Sequence, residues 1–201
     1  MPTPNPATAA TSSVAPGSNV ICLRPRVPRN LPSIDLGTAL IGDGSLIEPQ
    51  EIVAGLLHAG TKGVLASSSK AGKTWVLLDL ATSVASGTPF LKWQTTPGKV
   101  LFLNFEIHRA FLKGRLQIVK ERKQLANLDN LRVWTLWGTT AEFEDLLEAI
   151  IDEIRSEQFA LIVLDPIYKM MVGRSENMAS GVGVLCHHIE QLVERTGAAV
   201  V

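Results

Sequence analysis

The sequence predicts an α/β fold: a three-layer sandwich in which helices cover both faces of a mostly parallel sheet. Two patterns and one composition figure predict it. Short runs apolar at consecutive positions, such as "KVLFLNFE" (99–106) and "FALIVLD" (159–165), alternate with longer segments whose apolar residues recur at helical spacing. A strand apolar on both sides has to be covered on both sides, and each crossover between parallel strands lays a helix against the sheet. Hydrophobic residues make up 46% of 201 positions, ample for the core of one domain.

Each element follows in order. Residues 1 to about 18 are Pro, Ala, Thr and Ser with little to bury, which predicts disorder, and "RPRVPRNLP" then spaces Arg24, Arg26 and Arg29 between prolines as a solvated linker. Residues 1–35 thus read as leader and linker, and 36–201 as one globular domain. "GVLAS" (63–67) reads as the first buried strand. A helix over 73–86 follows, with Val76, Leu77, Leu80, Ala81 and Val84 on its apolar side and Gly87 and Pro89 as its stop. The strand 99–106 precedes a charged helix carrying Leu112, Leu116 and Val119 on one face, and "LRVWTL" (131–136) is the third strand. Thr139 and Glu142 form a capping box for a helix striped by Phe143, Leu146, Leu147, Ile150 and Ile154. After the strand 159–165, Val182, Leu185, Ile189 and Leu192 mark the last helix. "TGAAVV" then stops inside a buried strand, which makes Val201 an expected truncation point.

Charge and cysteines narrow little. Nineteen basic residues balance nineteen acidic ones, so any contact with nucleic acid has to come from a local patch. Cys22 and Cys186 have no metal-ligand spacing and read as free thiols in a reducing compartment. The leader has no secretory pattern and no run of about 18 apolar residues occurs, so a cytoplasmic protein without a membrane contact is expected.

Ligands of such a sheet bind beyond the carboxyl ends of its strands. "VLASSSKAGKTW" (64–75) lies there, at the turn from first strand to first helix. A phosphate-binding loop needs glycine, four residues, then Gly-Lys-Ser/Thr. Backbone N–H groups wrap the phosphates, the lysine reaches the β and γ groups, and the hydroxyl holds magnesium. Gly72, Lys73 and Thr74 match the second half; Ser67 stands for the first glycine, followed by Ser68, Ser69, Lys70 and Ala71. The serine adds a Cβ at a tight corner, a strain unless the backbone there stays in an ordinary region. Asp165 ends an apolar strand, where its carboxylate can hold the magnesium ion or its water. Glu106 closes the neighbouring strand, either as base for the attacking water or as an acid favoured by the macrodipole of the next helix.

These residues resemble the RecA-like P-loop ATPases, and within them the RepA-like group of plasmid, phage and bacterial replication or recombination proteins. The resemblance runs from about Glu48 to Val201, through "EIVAGLLHAGTKGVLASSSKAGKTWVLLDLATSVASGTPFL", "GKVLFLNFE", "LIVLDPIYKMMVG" and "ERTGAAVV". It implies ATP and Mg2+ as ligands, with Lys73 and Thr74 on phosphate and metal, Asp165 serving the metal and Glu106 as catalytic base. It also implies a homo-oligomeric ring, a hexamer in some relatives, acting on single-stranded DNA with replication proteins in a helicase-like role. The same loop also serves phosphotransferases, and nucleotide-binding modules without turnover.

Other residues have plainer readings. His187 and His188 point to different helix faces and suit no shared metal, so both are expected on an exposed helix surface. Trp75 is expected to pack on the sheet, His108 to sit in a helix first turn, and Arg109 and Arg115 to be surface charge. Trp93, Trp134 and Trp137 show no spacing of a stacking platform. Tyr168 and Lys169 fall in a loop at the functional edge, and "GVGVLC" is no dinucleotide fingerprint.

Overall fold

The computed structural model describes residues 33–139, 143–154, 157–170 and 179–201. The leader with its three arginines, Cys22 and the capping-box Glu142 lie outside them. The chain divides into two units, Met1–Leu46 and Ile47–Val201. The described part of the first holds one short helix, α1 (Gly37–Gly42), with no buried residue. Everything that follows belongs to the second.

That unit opens with an antiparallel hairpin, β1 (Glu51–Val53) and β2 (Leu57–His58), which sequence periodicity missed because strands this short carry no pattern. It turns at Gly55, whose φ of 69° favours glycine. Helix α2 (Lys73–Ser86) precedes β3 (Val100–Asn104), and α3 (Arg109–Arg122) leads to β4 (Leu131–Thr135). Then come α4 (Phe143–Ile154), β5 (Leu161–Asp165), α5 (Ala179–Thr196) and β6 (Ala199–Val200). The last four strands form one sheet in the order β4-β3-β5-β6, every neighbouring pair parallel.

Alternation along the strands builds the three layers. Val100, Phe102, Leu161, Val163 and Ala199 pack with α2, α3 and the hairpin residues Ile52, Val53 and Leu57. Their neighbours Leu101, Leu103, Ile162, Leu164 and Val200 pack with α4 and α5. Successive strand side chains face opposite ways, so a continuous apolar run demands a helical layer on each side. The stop of α2 is also where the sequence puts it: Gly87, at φ 69°, caps the helix and sends its N–H to the Ser83 carbonyl.

Three expectations change. The segment 63–67 is not a strand; only Lys62 bridges to β6, with the Gly63 N–H donating to the Val200 carbonyl. The Val201 N–H and C=O face β5, and Val64 and Leu65 are exposed. Helix α2 buries Leu77, Leu80, Ala81 and Val84 as expected, but Leu78 joins them fully buried and Val76 is 37% exposed. His188 is buried while His187 is exposed, because α5 sinks one flank into the core.

Gly98, just before β3, has a packing role. A Cβ there would lie 2.5 Å from the Ala160 Cβ. Gly98→Ala is therefore expected to lower stability by about 1–3 kcal/mol through overpacking, read as a drop in thermal or urea midpoint.

Candidate active site

The carboxyl ends of β3 and β5 and the start of α2 converge. Helix α2 begins at Lys73 with Gly72 as its N-cap, and no side chain caps that end. The Trp75 N–H already donates to the Gly72 carbonyl, so the N–H groups of Lys73 and Thr74 are the ones open to a ligand. Gly72 has φ 88° and a Cβ there would meet nothing within 4 Å, so the need for glycine is conformational rather than steric. The loop's positive φ angles fall at Lys70 (65°) and Gly72, not at Ser67. The serine therefore sits in ordinary backbone, and the strain expected there is carried by Lys70. Ser67→Gly should change ATP affinity by no more than about fivefold, measurable by titration calorimetry.

Ser67, Ser68, Ser69, Lys70 and Ala71 are exposed, and the Lys73 ammonium reaches back across them. Its Nζ donates to the Ser67 and Ser68 carbonyls, each at 3.0 Å. Two backbone carbonyls thus hold the Lys73 ammonium against the loop.

Asp165 ends β5 at 5% exposure, and the Thr74 hydroxyl donates to its carboxylate. Burial pushes its pKa up from the ordinary 3.8; the Thr74 bond pulls it down, the Glu106 charge pushes up, and Arg115 and Lys73 pull down. Five residues therefore share one electrostatic neighbourhood. Hydroxyl and carboxylate oxygens side by side are hard donors of the kind magnesium takes together with phosphate oxygens, so the pair fits that ion. Among the described residues no cluster of three His, Cys, Asp or Glu is placed to hold a metal.

Glu106 is exposed, two residues beyond β3, and Asn104 sets its turn. The wholly buried Asn104 amide donates to the Ile107 carbonyl at 2.5 Å and accepts from its N–H at 2.9 Å, while the Phe105 N–H donates to the Asp165 carbonyl at 2.9 Å. A buried polar side chain so fully paired locks the backbone on either side of Glu106.

Sequence reasoning missed Asn104, although a lone polar residue in "VLFLNFE" is a signal for it. It also misplaced two others. Trp75 is 38% exposed instead of packed on the sheet, and the Arg115 guanidinium lies 5.2 Å from its ring centroid. No spacing could have joined residues so far apart in sequence. His108 is the N-cap of α3, its Nδ1 accepting from the Ala110 N–H. Tyr168 and Lys169 form a short 3-10 turn at this edge, and "GVGVLC" lies inside α5.

Folding raises the Asp165 pKa, so the folded chain holds that proton more tightly than the unfolded one. The resulting stability is present below pH 3.8 and is lost as pH rises through the folded value. At neutral pH the ionised carboxylate is a cost. Asp165→Asn should therefore raise the ligand-free melting temperature at pH 7, with the gain shrinking as pH falls toward about 4.

No helix of the described residues is long and apolar enough to cross a membrane. Compared with known families, residues 32–201 match the model of the family described as AAA domain. No curated protein matches the chain. Among solved structures, a KaiC-like protein from the hyperthermophilic archaeon Pyrococcus horikoshii OT3 superposes with a TM-score of 0.52 at 16% identity over 74% of this chain. The chain spans 62% of that protein's length. At that identity the likeness is one of fold, and it agrees with the parallel sheet of a P-loop nucleotide-binding core.

Proposed function

The chain belongs to the AAA domain family, and on that premise we propose that it binds ATP with magnesium at residues 67–74 and hydrolyses it with Glu106 as general base. The observation that carries this reading is the meeting of Lys73, Thr74, Glu106 and Asp165 around one buried carboxylate. The β3–β5 pairing sets Asn104 beside Asp165 and so brings Glu106 to that edge, and the start of α2 adds Lys73 and Thr74. Lys73 would leave the Ser67 and Ser68 carbonyls for the β- and γ-phosphates, and the open N-terminus of α2 would donate to the same oxygens. Thr74 and Asp165 would hold magnesium, which when bound neutralises charge on the phosphate oxygens. Glu106 takes the proton of the water as its oxygen bonds to the γ-phosphorus and the bond to the β-phosphate oxygen breaks.

The finer role rests on the RepA-like resemblance. In that reading the chain assembles into a ring and couples hydrolysis to replication or recombination on single-stranded DNA. An exposed carboxylate beyond β3 favours hydrolysis over phosphoryl transfer to a bound acceptor. The test is saturable, magnesium-dependent ATP binding followed by phosphate release, with single-stranded DNA added or omitted. No binding at millimolar ATP would overturn the reading; a phosphorylated acceptor in place of free phosphate would convert it to a transferase.

A further inference from the structure

Beside this site, α3 and the edge strand β4 enclose a groove of about 260 Å³ that the proposed ATPase chemistry does not use. Its floor is apolar, with Leu116 from the helix and Val133 from the strand, and no carboxylate lines it. Arg109, Lys113 and Lys120 do line it. At four- and seven-residue spacing they fall within about 40° of one helix face and run along about 16 Å. Among the described residues none forms an ion pair with these three cations, whereas Lys62, Lys99, Lys123, Arg132 and Arg195 are all paired. In a chain of zero net charge, this is a local basic stripe left for an outside anion.

The groove opens at the carboxyl edge, where Arg109 and Thr135 line it. His108 precedes the one and Trp137 follows the other by two residues, and their rings meet edge to face at 5.1 Å. Phe111 flanks His108 at 6.0 Å on its other side. Trp137 is 55% exposed and Phe111 71%, so both rings beside His108 are open to solvent. The fold thus assembles a platform that the tryptophan spacing did not reveal.

We propose that this groove is a track for single-stranded nucleic acid, with phosphates along Arg109, Lys113 and Lys120 and a base against the Trp137–His108 pair. A cationic channel leading to exposed rings is the recurring chemistry of single-strand binding, whereas an acidic protein segment would use the cations and leave the rings idle. The proposal rests on the DNA role put forward above and is independent of hydrolysis at Glu106.

The test is fluorescence anisotropy of a labelled oligothymidylate of about 20 nucleotides with the 201-residue chain, between about 50 and 200 mM salt. Lys113→Glu with Lys120→Glu should weaken binding at least about tenfold and flatten the salt slope by about 1.4, two phosphate contacts' worth for a single strand. Trp137→Ala should weaken it about tenfold with the slope unchanged. Magnesium-dependent ATP binding should persist in both variants, which also reports an intact fold. Parental affinity in both variants would overturn the track and leave a DNA role elsewhere on the chain. No oligonucleotide binding by the parent would overturn the track and the DNA role together, while ATP binding would still stand. Competition by polyglutamate with no loss in Trp137→Ala would replace the strand by an acidic protein.

Discussion

Replacing Lys73 by alanine abolishes ATP binding, as the expected result of removing the one cation that the loop wraps. Its ammonium already accepts the company of two carbonyls at 3.0 Å, so no backbone movement is needed for it to face phosphate oxygens instead. Hydrogen bonds to charged partners contribute about 1.5–3 kcal/mol each, and two of them amount to more than a hundredfold in affinity. The fold should survive, because the buried side of α2 is made by Leu77, Leu78, Leu80, Ala81, Val84 and Ala85. Thermal unfolding separates the two effects: magnesium-ATP should raise the parent's melting temperature and leave that of Lys73→Ala unmoved. Equal shifts in both would place the nucleotide elsewhere.

Glu106→Gln is expected to keep the nucleotide and lose the reaction. Phosphate release should fall about 10²- to 10⁴-fold, the usual weight of a general base, with ATP affinity near the parent's. Glutamine keeps the shape and accepts hydrogen bonds but cannot take the proton. The variant is a clean test because Glu106 is exposed and its turn is held by Asn104, not by its own side chain. Undiminished phosphate release would dismiss Glu106 as the base and return it to the plainer reading, an acid favoured by the N-terminus of α3.

Much of this site was legible in one dimension. Gly72, Lys73 and Thr74 lie at the start of a helix, as the motif requires, although the segment before them is no strand, and α2 starts and stops at the predicted residues. Asp165 ends its predicted strand, and Glu106 follows β3 by two residues. Ser67, whose strain the sequence left open, shows the limit. A motif states which position usually needs glycine, while the actual φ angles depend on how the loop closes, and here they put the left-handed residue at Lys70.

The sequence by itself determined the alternation of strands and helices, the two-faced burial of the sheet and the placement of Lys73, Thr74, Glu106 and Asp165 at its carboxyl edge, because periodicity and turn residues act over a few neighbours. Only the tertiary structure decided which distant residues meet. Arg115 over Trp75, His108 against Trp137 and the three α3 cations lining the groove with β4 all join positions with no fixed spacing. It also decided that the segment 63–67 is no strand, since an apolar run becomes one only where it joins a ladder, and among the described residues only Lys62 bridges to β6. Local patterns follow from the chain's own geometry; contacts across the sheet follow from packing, which no window along the chain contains.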